Sequence, residues 1–341
     1  MESTAGIWPC EQDNRMLSKG LITEKMWFDQ AERLAAYYQG LILANIEKSD
    51  WDLLIGYFTL IDDVQHRYFL NDPRQLEYHM DEGKRKDLYN QYVEWAYSKV
   101  DKFLLEIIKK TDEEINVMIV SDHGMASVHS VLLINNYLSE LGFNVNAKNA
   151  QVRGYSTGPA AHIYVNLKER NNGGIVDKSE FEPIIDTISN ALKNLKDPET
   201  GEEIFKLVLK SSEMKPYGLY HPTNSGDIFV SANLGWSLSS KIVPELNSFI
   251  VPNAFKKDAY QHLNKNAQKF LLGGFMNETG LGIHGNLGNI REMHAIFYAI
   301  GPNIPNKRIG TIKAIDVAPT ITKLLKIEPP KNAEGLDFLD Y

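Results

Sequence analysis

Residues 115–125 read Ile-Asn-Val-Met-Ile-Val-Ser-Asp-His-Gly-Met, a short apolar run followed by an acid and a histidine. Ile115–Val120 has the length and composition of a buried strand. Asp122 and His123 come directly after it, and Gly124 lets the backbone fold tightly enough for both side chains to face one point. The alternative is that Asp122 caps the start of a helix. This stretch therefore predicts a strand that carries polar side chains at its carboxyl end.

The chain before this strand alternates between helix and strand patterns. Residues 26–47 and Val93–Ile108 carry apolar side chains at helical spacing. Leu53–Ile61 lies between them as an apolar run that we interpret as a buried strand, and Asp62 stands at its end. Alternation of this kind, with polar residues at strand ends, is typical of a parallel α/β sheet whose site lies along the carboxyl edge.

The second half of the chain continues the α/β pattern. Ala161–Leu167 and Asp227–Ala232 are predicted strands, and Phe181–Leu195 is a predicted amphipathic helix between them. We therefore expect residues 135–240 to form a smaller α/β lobe over the site, within one domain that spans residues 1–341.

Two further segments carry candidate ligands beside predicted strands. Asp62 and His66 are four residues apart, so a helical turn would point both side chains toward one cation. The alternative is an unrelated pair on a surface loop. His284 lies between two glycines, ahead of Met293–Ile300, which we predict to be a core strand. A lone histidine more often has a structural role. His284 is therefore a candidate ligand only in combination with the other two segments.

Together the three segments offer two aspartates and three histidines. The set comprises Asp62, His66, Asp122, His123 and His284. Carboxylate and imidazole ligands in this number suit a pair of divalent metal ions that acts on a phosphate group. We expect zinc because of the histidine content, with manganese as the alternative.

Composition limits the possible classes of protein. The chain has 341 residues, of which 43% are hydrophobic and 23% charged, as in a globular protein with a large core. A net charge of −8 argues against a broad nucleic-acid-binding surface. Cys10 is the single cysteine, so no intrachain disulfide can form, and we expect a cytoplasmic location. No signal peptide is visible, and no run approaches the roughly 18 apolar residues of a membrane span.

The combined pattern resembles the alkaline phosphatase superfamily, and within it the type I phosphodiesterase / nucleotide pyrophosphatase family. The main motifs are Asp-x-x-x-His from Asp62, Ser-Asp-His-Gly-Met from Ser121, and Gly-x-His-Gly around His284. Supporting segments are Tyr-Ser-Thr-Gly-Pro-Ala-Ala-His from Tyr155 and Gly-Ile-Trp-Pro from Gly6. The resemblance extends over nearly the whole chain. It implies an alkaline-phosphatase-like, mostly parallel sheet with helices on both faces.

By this resemblance, Asp62, His66 and His284 would hold one zinc ion, and Asp122 and His123 would hold the other. The family pattern adds an aspartate from a first strand and a Thr or Ser nucleophile at the start of a helix. This sequence shows neither before Asp62. We therefore expect the chain to be the C-terminal portion of a single, incomplete catalytic domain that is inactive by itself. The alternative is a protein that has lost its chemistry.

The resemblance implies metal-dependent hydrolysis of phosphodiester or nucleotide pyrophosphate bonds in a small phosphate ester or nucleotide. Alternatives within the superfamily are a phosphomonoesterase, a phosphonoacetate hydrolase and a phosphoglycerate mutase. A sulfatase is disfavoured because Cys10 is not followed by the proline and arginine of that motif. From a different class, the chain could be a non-catalytic metal-binding scaffold. Trp8, Tyr155 and Tyr164 are candidates for stacking on a base, and no pattern indicates an oligomeric state.

Overall fold

The structure is a computed structural model that describes residues 6–48, 50–146, 148–244, 246, 248–255, 259, 265 and 280–339. Its described helices are α1 (Asn14–Ser18), α2 (Glu24–Ile46), α3 (Leu60–Tyr68), α4 (Lys84–Lys110), α5 (Ile134–Glu140), α6 (Lys178–Lys193) and α7 (Val317–Leu324). Short 3-10 turns lie at Met80–Gly83, Ser211–Glu213, Lys215–Tyr217, Arg291–Met293 and Ala314–Asp316. Its described strands are β1 (Val117–Val120), β2 (Ala126–Leu133), β3 (Val152–Thr157), β4 (Ala160–Val165), β5 (Phe205–Lys210), β6 (Ile228–Ala232), β7 (Gly235–Ser239), β8 (Ile250–Pro252), β9 (Gly282–Ile283) and β10 (Phe297–Ile300). The α/β class predicted from the sequence is confirmed.

The long helices form where the apolar spacing predicts them. Helix α2 begins after Thr23, whose hydroxyl accepts a hydrogen bond from the backbone N–H of Met26 at 3.2 Å. Its buried residues Trp27, Ala31 and Leu34 recur every three or four positions. Trp27 and Ala31 pack into the same core as helices α3 and α4. No helix in the described part of the chain combines the length and the apolar character needed to cross a membrane.

The apolar run before Asp62 does not form the predicted strand. Helix α3 begins at Leu60, and residues 53–59 form neither a helix nor a strand. Ile55 and Tyr57 are 78% and 66% exposed. A strand is stable only where a neighbour takes up its backbone hydrogen bonds. No described strand pairs with this run, although Phe58 packs against the apolar core of helices α2, α3 and α4. The predicted buried strand at Leu53–Ile61 is therefore wrong, and Asp62 lies in the first turn of a helix.

The described strands form three sheets. β3, β4, β6 and β5 pair in that order and are antiparallel throughout. β2 pairs in parallel with β7 and antiparallel with β8 and β9, while β1 pairs antiparallel with β10. The described pairing is thus more antiparallel than the mostly parallel sheet expected. A short connection explains the β3–β4 pair, because the two residues between these strands permit only an antiparallel hairpin.

Helix α6 and the four-stranded antiparallel sheet share one apolar core. The helix packs on one face of the sheet, where alternate residues of each strand, such as Ile163 and Val230, are fully buried. Leu132 of β2 and Leu238 of β7 belong to the same core, so this unit is continuous with the central strands. A separate lobe over residues 135–240 stays a prediction. The buried residues of α6 are Ile184, Ile185, Ile188, Ser189 and Leu192.

Strands β1 and β10 form a two-stranded sheet that we call the ribbon. Val120 pairs with Phe297, so the end of β1 lies beside the start of β10. Val120, Tyr298 and Ile300 are 46%, 64% and 55% exposed. The sequence predicted a core strand over Met293–Ile300, and this is wrong, since the strand occupies only the last four of these residues and its alternate side chains face outward.

Candidate metal centre

Helix α3 carries the first two candidate ligands. Asp62 and His66 lie one turn apart, and Nε2 of His66 is 3.4 Å from Oδ1 of Asp62. Nδ1 of His66 lies 2.9 Å from the carbonyl oxygen of Gly282. This contact favours the tautomer with its proton on Nδ1, which leaves a lone pair on Nε2. The sequence allowed this pair to lie on a helical turn or on a surface loop, and the structure places both residues on a helix.

Strand β1 delivers the second pair. Gly124 donates its backbone N–H to the carbonyl oxygen of Met293 at 3.1 Å, and a Cβ added at Gly124 would lie 2.0 Å from the carbonyl oxygen of Glu292. The glycine is therefore needed for close approach of two backbones. Nδ1 of His123 lies 2.9 Å from the Gly124 carbonyl oxygen, and its Nε2 lies 3.4 Å from Oδ2 of Asp122. His123 is thus held in the same way as the histidine on α3.

His284 follows the two-residue strand β9, which pairs antiparallel with β2. A Cβ added at Gly280 would lie 1.6 Å from the carbonyl oxygen of His66, so this segment passes directly against the backbone of helix α3. The close approach brings the imidazole of His284 beside that of His66, with ring centroids 5.0 Å apart.

Two buried amides hold the segment before His284, and the sequence analysis missed both. Asn253 donates from Nδ2 to the carbonyl oxygen of Gly280 at 2.9 Å, and Gln75 donates from Nε2 to that of Leu281 at 2.9 Å. Each amide is 1% exposed. No sequence pattern indicates such a role for a single Asn or Gln. The Gly-Leu-Gly before Ile283, by contrast, is a pattern that indicates close backbone contact.

The structure brings all the predicted ligands to one place. Oδ1 of Asp62 lies 3.4 Å from Nε2 of His66, 3.8 Å from Nε2 of His284 and 4.0 Å from Nε2 of His123. Asp122 joins the cluster through His123, and its side chain is 70% exposed. Ligand atoms of Asp62, His123 and His284 all lie within 4.8 Å of one another. The resemblance assigns Asp62 and His284 to one zinc ion and His123 to the other. In the structure, Asp62 lies close to histidines of both groups.

The donor atoms fit a divalent cation. Oδ1 of Asp62 is buried and has no hydrogen-bond partner, which is costly for a carboxylate unless a positive charge lies beside it. Burial, and then the neighbouring rings of His123 and His66, lower the pKa of His284. A neutral imidazole is the form that binds a metal ion. The carboxylate oxygen of Asp62 and the imidazole Nε2 atoms around it are the kinds of ligand that zinc binds in proteins.

Asp63, which adjoins Asp62 in the sequence, faces away from the cluster. Its Oδ2 accepts hydrogen bonds from Thr59 Oγ1 at 2.8 Å and from Gln12 Nε2 at 3.2 Å. Burial raises the pKa of Asp63, and these two hydrogen bonds partly offset the shift. The residue therefore fixes the start of helix α3 against the segment that contains Gln12.

The histidines of the central strands have other surroundings. His129 in β2 is 4% exposed, and its Nδ1 lies 2.9 Å from Ser130 Oγ. Burial, with the positive charge of Arg74, lowers the pKa of His129 to about 4. His162 in β4 accepts a hydrogen bond from the backbone N–H of Gly226 at 3.1 Å, and burial lowers its pKa as well.

The family follows from comparison with known sequences. A family model for type I phosphodiesterase / nucleotide pyrophosphatase matches residues 13–263, well over half of the 341 residues. The chain therefore belongs to this family, as its motifs suggested. Four of the five candidate ligands fall inside the match, and His284 lies beyond its end.

Particular relatives cover the chain to different extents. Murine ectonucleotide pyrophosphatase/phosphodiesterase 5 is 17% identical, with 90% of this chain and 61% of that one covered and a TM-score of 0.48. Phosphonoacetate hydrolase from Sinorhizobium meliloti 1021 is 17% identical over 62% of this chain and 43% of that one, with a TM-score of 0.37. GPI ethanolamine phosphate transferase 3 of Eremothecium gossypii is 29% identical over 91 residues, which are 26% of this chain and 7% of that protein. The chain thus spans less than two thirds of the length of each relative.

Proposed function

We propose that this chain forms a divalent metal centre that binds the phosphoryl group of a small phosphate ester or nucleotide. The centre would belong to an enzyme that hydrolyses phosphodiester or nucleotide pyrophosphate bonds. Membership of the family supports the reaction class. The observation that carries the metal proposal is Oδ1 of Asp62, which is buried without a hydrogen-bond partner amid the Nε2 atoms of three histidines.

The ligands of the proposed centre divide into two groups. Asp62, His66 and His284 would hold one zinc or manganese ion, and Asp122 with His123 would hold a second more weakly. Bound ions would supply positive charge that stabilises phosphoryl oxygens and lowers the pKa of a hydroxyl or water.

The protein itself contributes orientation. The carbonyl groups at Gly282 and Gly124 fix the rings of His66 and His123 through their Nδ1 atoms, so each Nε2 faces Asp62. The carboxylate of Asp62 is shared among these rings, and any shift of helix α3 would move it relative to the loops that bear His123 and His284. Rigid placement of this kind favours the transition state of an in-line displacement.

We further propose that the nucleophilic hydroxyl comes from polypeptide outside residues 1–341, so that this chain alone binds metal without turnover. The sequence before Asp62 lacks a strand that ends in aspartate and is followed by Thr or Ser at a helix start. The exposed apolar run through Ile55 and Tyr57 and the exposed ribbon support a missing neighbour at this side of the site.

Metal content after dialysis, measured together with turnover, tests both parts of the proposal. The unmutated chain should retain at least one zinc ion and should not hydrolyse bis-para-nitrophenyl phosphate. His284→Ala should retain less zinc, whereas His79→Ala, which removes an exposed histidine, should retain as much as the unmutated chain. Equal stoichiometry in the chain and His284→Ala would refute the site. Clear turnover by the unmutated chain would refute the external nucleophile.

A further inference from the structure

Asn172 and Gly173 form the only asparagine–glycine pair in the sequence, and they lie in the loop between β4 and α6. In such a pair the backbone nitrogen of the glycine can attack the side-chain carbonyl carbon of the asparagine, because glycine has no side chain that hinders the approach. A folded protein prevents this attack where hydrogen bonds or packing hold the two groups apart. The surroundings of Asn172 therefore decide whether the pair reacts.

Both reacting groups are free of hydrogen bonds. The side chain of Asn172 is exposed and has no partner among the residues that the structure describes. The backbone N–H of Gly173 has no acceptor among them either, because the turn is closed one residue later. There the N–H of Gly174 donates to the carbonyl oxygen of Asn171 at 2.9 Å. The nucleophilic nitrogen and the electrophilic carbon are thus not tied to other groups.

The tip of the turn is also free to move. Gly173 has a φ of 81°, in the left-handed region that favours glycine, whereas Asn172 does not have a positive φ. This combination is the pattern of a type II turn with glycine at its third position. A Cβ added at Gly173 would meet nothing within 4 Å, so no neighbouring atom restrains the peptide unit that must rotate. The single hydrogen bond across the turn is what opposes the rotation.

The other asparagines of this loop are held in place. Nδ2 of Asn171 donates to Oδ1 of Asn166 at 3.1 Å, and Nδ2 of Asn166 donates to the carbonyl oxygen of Ala150 at 3.0 Å. Each is followed by a residue that has a side chain, Asn172 and Leu167 respectively. Hydrogen bonding and steric hindrance therefore protect both of them, and the reaction is directed to Asn172.

We propose that Asn172 is a site of spontaneous deamidation. The backbone nitrogen of Gly173 loses its proton to solvent base and forms a bond to Cγ of Asn172, and the side-chain nitrogen leaves as ammonia. The product is a five-membered succinimide. Water then adds to one of its two carbonyl carbons and breaks the C–N bond there. The chain is left with aspartate or with isoaspartate, in which the main chain runs through the former side-chain carbon, and water is the sole reactant consumed.

The reaction would change the loop that carries Arg170. The guanidinium of Arg170 donates to both carboxylate oxygens of Asp227, at 2.7 and 2.8 Å, and Asp227 is buried directly before β6. A new carboxylate at position 172 lies two residues from this guanidinium and would compete for it. Isoaspartate also adds one carbon to the main chain inside a closed turn. Both changes would loosen the attachment of the loop to the sheet.

Peptide mass spectrometry after incubation of the whole chain at mildly alkaline pH tests the proposal. Asn172 should exchange its amide for a carboxyl group at least about 10-fold faster than Asn224, a ratio that corresponds to about 1.4 kcal/mol in activation free energy. Asn224 is a matched control, because it is also exposed but precedes Ser225 rather than a glycine. Asn172→Gln should remove the reaction at this position, since its cyclisation would need a six-membered ring.

A methyltransferase specific for isoaspartyl residues provides an independent measurement, since it transfers a methyl group from S-adenosylmethionine to the free carboxylate of isoaspartate. The incubated unmutated chain should accept methyl groups, and incubated Asn172→Gln should not. Equal incorporation by the two proteins would refute Asn172 as the site.

A synthetic peptide of residues 168–177 separates the chemistry of the pair from the effect of the fold. If Asn172 reacts in the peptide but no faster than Asn224 in the whole chain, the fold protects the pair and the proposal is wrong. The isoaspartyl form, separated by ion exchange, should unfold at a lower urea concentration than Asn172→Asp, which has the new charge without the longer main chain. Equal midpoints would refute the loosening of the loop by the added carbon.

Discussion

The imidazole rings of His123 and His284 lie face to face, with centroids 3.6 Å apart and planes inclined by 12°. Two imidazolium rings at this separation would repel each other, so the stack requires at least one neutral ring. Each ring also directs Nε2 toward Oδ1 of Asp62, at 4.0 and 3.8 Å. The stack therefore joins two distant segments of the chain into one cluster whose imidazole nitrogens surround a carboxylate oxygen.

Substitution of the shared carboxylate should weaken metal binding at the proposed centre. Asp62→Asn removes the negative charge at Oδ1 and should weaken zinc binding by at least about 10-fold, the smaller end of the loss seen for residues that only orient metal ligands. Competition with a zinc-chelating dye would measure the affinity. Asp63→Asn provides a matched control, because Asp63 faces Thr59 and Gln12 rather than the cluster. Similar affinities for Asp62→Asn and Asp63→Asn would contradict the assignment.

A methyl group at Gly124 should distort the segment that carries His123. The added Cβ would lie 2.0 Å from the carbonyl oxygen of Glu292, and backbone cannot move aside as a flexible side chain can. We expect Gly124→Ala to lower the free energy of unfolding by about 1–3 kcal/mol, as overpacking does elsewhere. Urea denaturation would show the difference against Gly288→Ala, where a Cβ meets nothing within 4 Å. Equal midpoints for the two variants would show that the backbone relaxes freely.

Buried His129 should make the chain less stable in acid. Its pKa is about 4 in the folded chain against about 6.5 when unfolded, so between these values the unfolded state binds more protons. The contribution of His129 to the free energy of unfolding is fully present above pH 6.5. It falls as the pH drops toward 4, by up to about 1.4 kcal/mol per pH unit. Urea denaturation at stepped pH should give a flatter profile for His129→Gln than for the unmutated chain. An identical slope in both would show that His129 is not kept neutral by burial.

A polypeptide that includes the proposed external nucleophile should prefer a diester. With that nucleophile supplied, we expect faster hydrolysis of bis-para-nitrophenyl phosphate than of para-nitrophenyl phosphate in one zinc-loaded preparation. The reason is membership of the type I phosphodiesterase / nucleotide pyrophosphatase family, which supports the proposed reaction class. The ratio of kcat/KM for the two esters is the measurement. A preference for the monoester would move the enzyme to the phosphomonoesterase branch of the superfamily.

Sequence patterns predicted the long helices and the members of the cluster, because helical spacing and ligand chemistry are local properties. The i, i+4 spacing of Asp62 and His66 needed only one helical turn to be correct. The predicted strand at Leu53–Ile61 failed because strand formation depends on a partner from elsewhere. The roles of Asn253 and Gln75 could not be predicted for the same reason, because their hydrogen bonds join residues that are distant in the sequence. Antiparallel pairing also depends on connections that apolar runs do not reveal.

The exposed ribbon has a practical consequence for handling the protein. Its edges pair with no further strand in the described part of the chain, and its outward apolar side chains include Tyr298 and Ile300. Copies of the chain would associate through these surfaces at high concentration. Asp122 follows the end of β1 by two residues, and the start of β10 lies beside that end. A molecule that masks the ribbon would therefore lie beside Asp122 and the proposed metal centre. Metal loading and ligand affinity should consequently be measured in dilute solution, where the apparent values do not change with protein concentration.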